Sequence, residues 1–151
     1  MWDCHVHLLG LQKFDISEFV KGAQYQALTG ARCAKDAMLL LNSGFTSVRE
    51  LAGYGLQIAK AIEEGTIVGP KIYSAGDIIS PTGGHADVHS LYKPWYDDAC
   101  SMGMPMCTAD GVAECVKAVR LQLRKGAHVI KICASGGVAT ELVRIQISTS
   151  R

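Results

Sequence analysis

Two histidines one residue apart, His5 and His7, sit in the opening run WDCHVHL. On a strand, residues i and i+2 project from the same face. Both imidazoles can then reach one cation, and neutral imidazole is a strong ligand for divalent metals. Asp3 shares that face in a regular strand and could support a ring as a hydrogen-bond acceptor. Two histidines on an ordinary strand would read the same way. Lys131 lies in VIKICASGG, where alternation sends Ile130 and Ile132 to one face and Val129, Lys131 and Cys133 to the other. If the isoleucines pack on helices, Lys131 points inward, where an ammonium is costly unless paired or neutralised. A lowered pKa would make it a base or nucleophile. Addition of CO₂ would instead turn it into a carboxylate able to bridge two metals. A lysine whose stem packs while its head reaches water is the plain alternative.

His85 follows two glycines in SPTGGHAD, a segment in which the backbone can turn sharply and approach a ligand. A solvated loop histidine fits the same residues. His89 and His128 suggest no role, with His128 expected near the surface at the start of a strand. Arg49-Glu50 reads as a salt-bridged or solvated pair, with a pocket role as the alternative. Ser135-Gly136-Gly137 could cradle an anion, but glycine turns are common. The sequence holds no GxxxxGK[ST] loop, and Gly53-Tyr54-Gly55 lacks the rest of a dinucleotide fingerprint. No GxSxG elbow occurs. Cys4 neighbours the histidines from the opposite strand face, which argues against a Cys/His nucleophile pair.

The elements that must hold these residues alternate. Strands are expected over residues 1–8, 45–51, 71–75 and 128–134. Helices are expected over 17–26 with Ser17 as N-cap, over 29–41 with Ala31, Ala34, Met38 and Leu41 on the apolar side, and over 56–64. Another follows Thr108 or Asp110, with Val112, Val116, Val119 and Leu123 as its apolar stripe and Lys125-Gly126 as its end. Residues 76–107 read as one long irregular segment, and such segments are usually functional or disordered. Strand–helix alternation implies parallel strands with crossover helices, as in a doubly wound sheet or a (β/α)₈ barrel. Four strands would make half of a barrel.

The chain has 151 residues, 48% of them hydrophobic and 19% charged, a globular composition. Net charge is +1 with no basic stripe, which argues against nucleic acid. No apolar run has the ~20 residues of a membrane span, and the N-terminus lacks a signal-peptide pattern. The six cysteines form no CxxC pair, so reduced thiols and a cytoplasmic location are expected.

Four segments in order, WDCHVHL, GFTSVRELAGYG, IEEGTIVGPKIYSAGDIISPTGGHAD and LRKGAHVIKICASGGV, resemble the amidohydrolase superfamily. The resemblance is to its imidazolonepropionase-like branch, which includes Xaa-Pro dipeptidases and ochratoxin-type amidases. It implies an α/β fold in which residues 1–138 form about the first four βα units of a (β/α)₈ TIM barrel with parallel strands. It also implies a binuclear centre of divalent metal, zinc first. His5 and His7 match strand-one metal ligands, Lys131 matches a carboxylated bridging lysine, and His85 matches a histidine near the substrate. In such enzymes a metal-activated hydroxide hydrolyses an amide or dipeptide, a small-molecule substrate.

The resemblance places the remaining histidine ligands and the general-base aspartate on later strands, beyond this chain. No catalytic set is complete here. Residues 139–151, ATELVRIQISTSR, depart from the family and read as a divergent tail, or as a fifth strand over 140–148 in a self-contained binding domain. A truncated chain of poor activity is expected, with self-association through open barrel edges. The alternative is a non-catalytic α/β module that associates with itself or with a full-length enzyme.

Overall fold

The computed structural model describes residues 1–11, 13 and 15–137, so the expected tail and fifth strand lie outside the described residues. The elements run β1 (Trp2–Val6), α1 (Ile16–Gln24), α2 (Gln26–Asn42), β2 (Ser47–Glu50), α3 (Gly55–Glu63), β3 (Lys71–Ser74), β4 (Ile78–Ser80), α4 (Lys93–Ser101), β5 (Met106–Thr108) and α5 (Gly111–Lys125). All strand pairings are parallel: β1 with β2, β2 with β3, and β4 with β5. The fold is α/β with parallel strands, as the alternation implies.

β3 and β4 act as one interrupted strand, bent at Gly76 (φ 69°). The first half pairs with β2, and the second pairs with β5 on one side. On the other side lies the segment from His128. Its amide donates to Ser74 O at 2.9 Å, and Ile79 exchanges bonds with Lys131 O and the Cys133 amide at 3.0 and 2.8 Å. The expected strand over 128–134 is thus reduced to a single bridge, Ile79 to Ile132. The expected irregular stretch over 76–107 contains β4, α4 and the start of β5. These strands are three residues long, too short for a period-2 pattern to register.

The main core lies between the sheet and helices α2 and α3, where Val48 and Ile72 meet Cys33, Ala37, Ile58 and Ala59. α1 and α4 form a second cluster around Phe19, Ala23, Tyr96 and Ala99. Asp15, not Ser17, caps α1: Oδ1 accepts from the Ser17 and Glu18 amides at 2.8 and 3.4 Å. Two helices bury a different face from the apolar stripe. α2 packs through the small residues Thr29, Cys33 and Ala37, leaving Met38 exposed. Small side chains let a helix approach a sheet closely, and Thr29 and Cys33 do so here from a face that the expected stripe leaves out.

α5 turns Ala118 and Gln122 inward and leaves Val112 82% exposed, with Val116 and Leu123 also exposed. Buried Gln122 explains the rotation. Its Oε1 accepts from the Asp77 amide at 2.9 Å and its Nε2 donates to Asp77 Oδ2 at 3.1 Å, while Lys125 adds an ion pair to the same carboxylate. These bonds hold the β3–β4 bend. Among the described residues, no helix is long and apolar enough to cross a membrane. Ala118 packs with Ile79 and Ala109, so Ala118→Leu is expected to overpack and destabilise by about 1–3 kcal/mol. Val112→Glu should stay within about 0.5 kcal/mol. Urea midpoints test both, and equal losses would mean that α5 buries its valine stripe after all.

Candidate functional site

The sheet ends β1 in a bulge that aims the histidines. Trp2 pairs with Ser47 and Asp3 with Val48, but Val6 pairs with Glu50, so three steps on β1 match two on β2. Paired residues in a parallel sheet share a face. Asp3 therefore falls on the Val48 side, and His5 and His7 fall on the other, with Arg49. This corrects the expectation that Asp3 shares the histidines' face. Its Oδ1 accepts instead from the His5 backbone amide at 3.0 Å, a donor that the bulge takes out of the ladder.

His5 Nε2 and His7 Nε2 lie 3.2 Å apart. His7 Nδ1 lies 3.0 Å from Ala52 O, and a carbonyl can only accept, so that nitrogen carries the proton and His7 Nε2 is bare. The 3.2 Å separation suits either a hydrogen bond from His5 to His7 or a shared cation. Two ligands about 2.0–2.1 Å from zinc at that separation subtend about 100°, near tetrahedral. The ring pair therefore fits a metal, and the carbonyl behind His7 is the partner that metal-ligating histidines commonly use. Burial, with the charges of His7, Lys131 and Arg49, pushes the His5 pKa below its ordinary value, favouring the neutral ring that a ligand needs.

Lys131 is thus near enough to act on His5, and it is half-buried. Its face partner Cys133 packs against Ala52, Ile78 and Ala86. Ile130 packs with Ala118 of α5, as expected, whereas Ile132 is 62% exposed, because no helix among the described residues covers it. Among the described residues, no group of three or more His, Cys, Asp or Glu side chains converges on one point.

A cavity of about 290 Å³ opens beside the pair, lined by His7, His85 and His89 and walled by Phe19, Ile78 and Met106. His7 and His85 thus meet in one pocket; His5 and Lys131 are not among its walls. The Ser135–Gly137 turn seats His85. Ser135 O accepts from the His85 amide at 3.3 Å, and a Cβ on Gly137 would sit 2.3 Å from His85 Nδ1. That turn approaches a side chain, where an anion cradle was one expectation.

Glu50 does not form the expected salt-bridged or solvated pair with Arg49. Its exposure is 0%, and Arg49 bonds Cys4 O instead, at 2.8 Å. Ser74 Oγ donates to Glu50 Oε2 at 2.6 Å, while Oε1 has no well-formed hydrogen bond. Burial drives the pKa up to about 7, against the Ser74 hydroxyl and the amides of Leu8 and Gly55.

The sequence model of the amidohydrolase family matches residues 1–145. The chain belongs to the amidohydrolase family. It is 45% identical over 150 residues to ochratoxinase from Aspergillus niger, a match over 91% of this chain and 31% of that protein. The crystal structure of A. niger ochratoxinase superposes with a TM-score of 0.80 at 44% identity, covering 91% of this chain and 34% of that one. A prolidase complexed with N-methylphosphonate-L-proline superposes with a TM-score of 0.76 at 36% identity, covering 92% and 34%. This amidohydrolase chain therefore spans about a third of the length of the relatives it matches, and over that third it is similar to amidohydrolase TIM barrels.

Sequence reasoning missed two parts of the site: the Ala52 carbonyl and the buried Glu50. A backbone carbonyl leaves no trace in residue type. Glu50 left one, the glycines at 53 and 55, since a Cβ there would meet its carboxylate at 2.1 and 2.6 Å. The raised Glu50 pKa sets a pH dependence. Folding favours the protonated acid, so its contribution is complete below the unfolded value of 4.5 and is lost as pH rises through about 7. The loss amounts to about 3 kcal/mol. Glu50→Gln should remove that part of the decline, making the variant more stable than the parent at about pH 8. Urea midpoints across the range test it; parallel curves for parent and variant would show that Glu50 does not titrate there.

Proposed function

We propose that this chain supplies the first-strand side of a metal-dependent hydrolase site for amide or dipeptide bonds in small molecules. The observation that carries the reading is the pair of imidazole Nε2 atoms 3.2 Å apart, with the His7 ring fixed by the Ala52 carbonyl and lining a cavity shared with His85. His5 and His7 would hold a divalent cation, zinc first. Such a cation, when bound, polarises an amide carbonyl and lowers the pKa of water. The prolidase and ochratoxinase relatives support an amide or dipeptide substrate.

Lys131 would complete the metal set as a carbamate. None of the ion pairs among the described residues includes Lys131, and both Lys131 and Arg49 bring positive charge to His5. A carbamate there would replace one positive charge with a negative one and relieve the repulsion. His85 would orient the substrate at the cavity wall, while Phe19, Ile78 and Met106 would receive an apolar side group. The ochratoxinase relative is about three times as long, and the activity of such a whole protein would draw these residues from the part that this chain spans. All six cysteines are free thiols, which supports a reducing compartment such as the cytoplasm.

The test is metal stoichiometry by elemental mass spectrometry. About one zinc per chain is expected after loading, lost in His5→Ala/His7→Ala and weakened in Lys131→Ala. Equal metal in parent and double variant would sink the reading. A second reading, a non-catalytic module that pairs with itself, is favoured by the exposed Ile132 and by the α5 valines. Sizing chromatography would then give a dimer that Ile132→Asp dissociates; a parent that elutes as a monomer removes it.

A further inference from the structure

Glu50 is a fully buried carboxyl for which the reading above has no use. It pairs with Val6 and lies on the Val48 side of the sheet, away from His5 and His7, so it touches no substrate. An apolar residue of similar volume would avoid the cost of desolvating an acid. What the acid does there is visible in its neighbours. The segment from Leu51 to Gly55 crosses the end of β1 and is tied to it twice: the Leu51 amide donates to Val6 O at 3.0 Å and the Tyr54 amide to Leu8 O at 2.9 Å. These bonds bracket His7. Between them Ala52 adopts φ 135°, a conformation that side-chain-bearing residues rarely hold. Strain of this kind persists only where the surroundings enforce it. The group inside this segment is the Glu50 carboxyl, anchored by Ser74 Oγ at 2.6 Å and wrapped by Gly53 and Gly55 so closely that neither position has room for a Cβ.

We propose that Glu50 is a positioning residue: its buried carboxyl is the post around which residues 51–55 fold, and through the Ala52 carbonyl it fixes His7 with Nδ1 protonated and Nε2 bare toward His5. The consequence for metal binding rests on the reading of His7 as a ligand; the consequence for the ring itself does not. Truncating Glu50 lets the segment relax, releases the Ala52 carbonyl, and allows His7 to exchange tautomers.

The experiment labels the histidine rings of the 151-residue chain with ¹⁵N and reads each tautomer from long-range proton–nitrogen correlations, at a pH where the rings are neutral. His7 is expected as the Nδ1–H form in the parent and in Glu50→Gln, which keeps the length and the acceptor. Glu50→Ala should give a mixture of tautomers and bind zinc tenfold or more weakly, about what the loss of a ligand's hydrogen-bond partner costs. A folded Glu50→Ala variant, by unchanged near-ultraviolet circular dichroism, with His7 still held as Nδ1–H would overturn the proposal. Should Glu50→Ala not fold, Glu50→Gln and Glu50→Asp decide. The aspartate is one methylene short of the segment, so His7 should be released in it and held in the glutamine variant; the same tautomer state in both refutes the proposal. A parent chain that binds no zinc yet shows the lock and its release supports the role of Glu50 and overturns the metal reading alone.

Discussion

The geometry at the candidate site depends on how the backbone from Leu51 to Gly55 lies across the end of β1. Parallel strands deliver their C-terminal ends to one edge, and the loops that leave that edge must satisfy their own polar groups. Here the loop does so by bonding to the strand beside it, through Leu51 to Val6 and Tyr54 to Leu8. The same contacts bring one carbonyl, that of Ala52, to His7 Nδ1. A ring hydrogen-bonded on one nitrogen presents the other in a fixed direction with its lone pair available. The β1 bulge makes the complementary adjustment: it moves Asp3 to the far face and leaves His5 beside His7.

The family resemblance and the alternation of strands and helices made the parallel α/β fold legible from residue types alone. What escaped had physical reasons. The bulge is one extra residue in an unremarkable WDCHVHL run, and strict alternation put Asp3 on the wrong side. Glu50 is charged, and a charged residue at a strand end reads as solvated unless its partners are known; those partners, Ser74 and the backbone at Gly53 and Gly55, come together only in the fold. Two helix faces escaped as well. The expected stripes ran through Ala31, Ala34, Met38 and Leu41 and through Val112, Val116, Val119 and Leu123, while α2 and α5 bury Thr29, Cys33, Ala37, Ala118 and Gln122.

Those misplaced faces also say how the half of the sheet nearest α5 is built. Apolar burial there is modest, and a polar clamp does part of the work: Gln122 and Lys125 gather on Asp77 at the bend between β3 and β4. A buried amide that satisfies both a backbone donor and a carboxylate specifies one register for the helix, because a slip of one residue would leave all of these groups unpaired. The bend in turn sets where β4 runs, and β4 carries the bridge to Ile132 that places Lys131. The position of Lys131 relative to His5 is therefore governed by α5 and the β3–β4 bend, and that of His7 by the Glu50 segment.

These two supports meet at Ser74, whose hydroxyl donates to Glu50 and accepts from the Gly76 amide at the bend, but they hold different groups. His5 and His7 are set by bonds between neighbouring strands and a short loop, all within the first 55 residues, and Ser74. Lys131 hangs on a single bridge, with Ile132 bare on the helix side. Local opening starts where buried apolar contacts and paired backbone are fewest. The histidine pair is thus the firm half of the proposed site and the lysine the soft half. A cation would meet the histidines as a preformed pair and would draw Lys131 into place only by adding its own bonds to that one bridge.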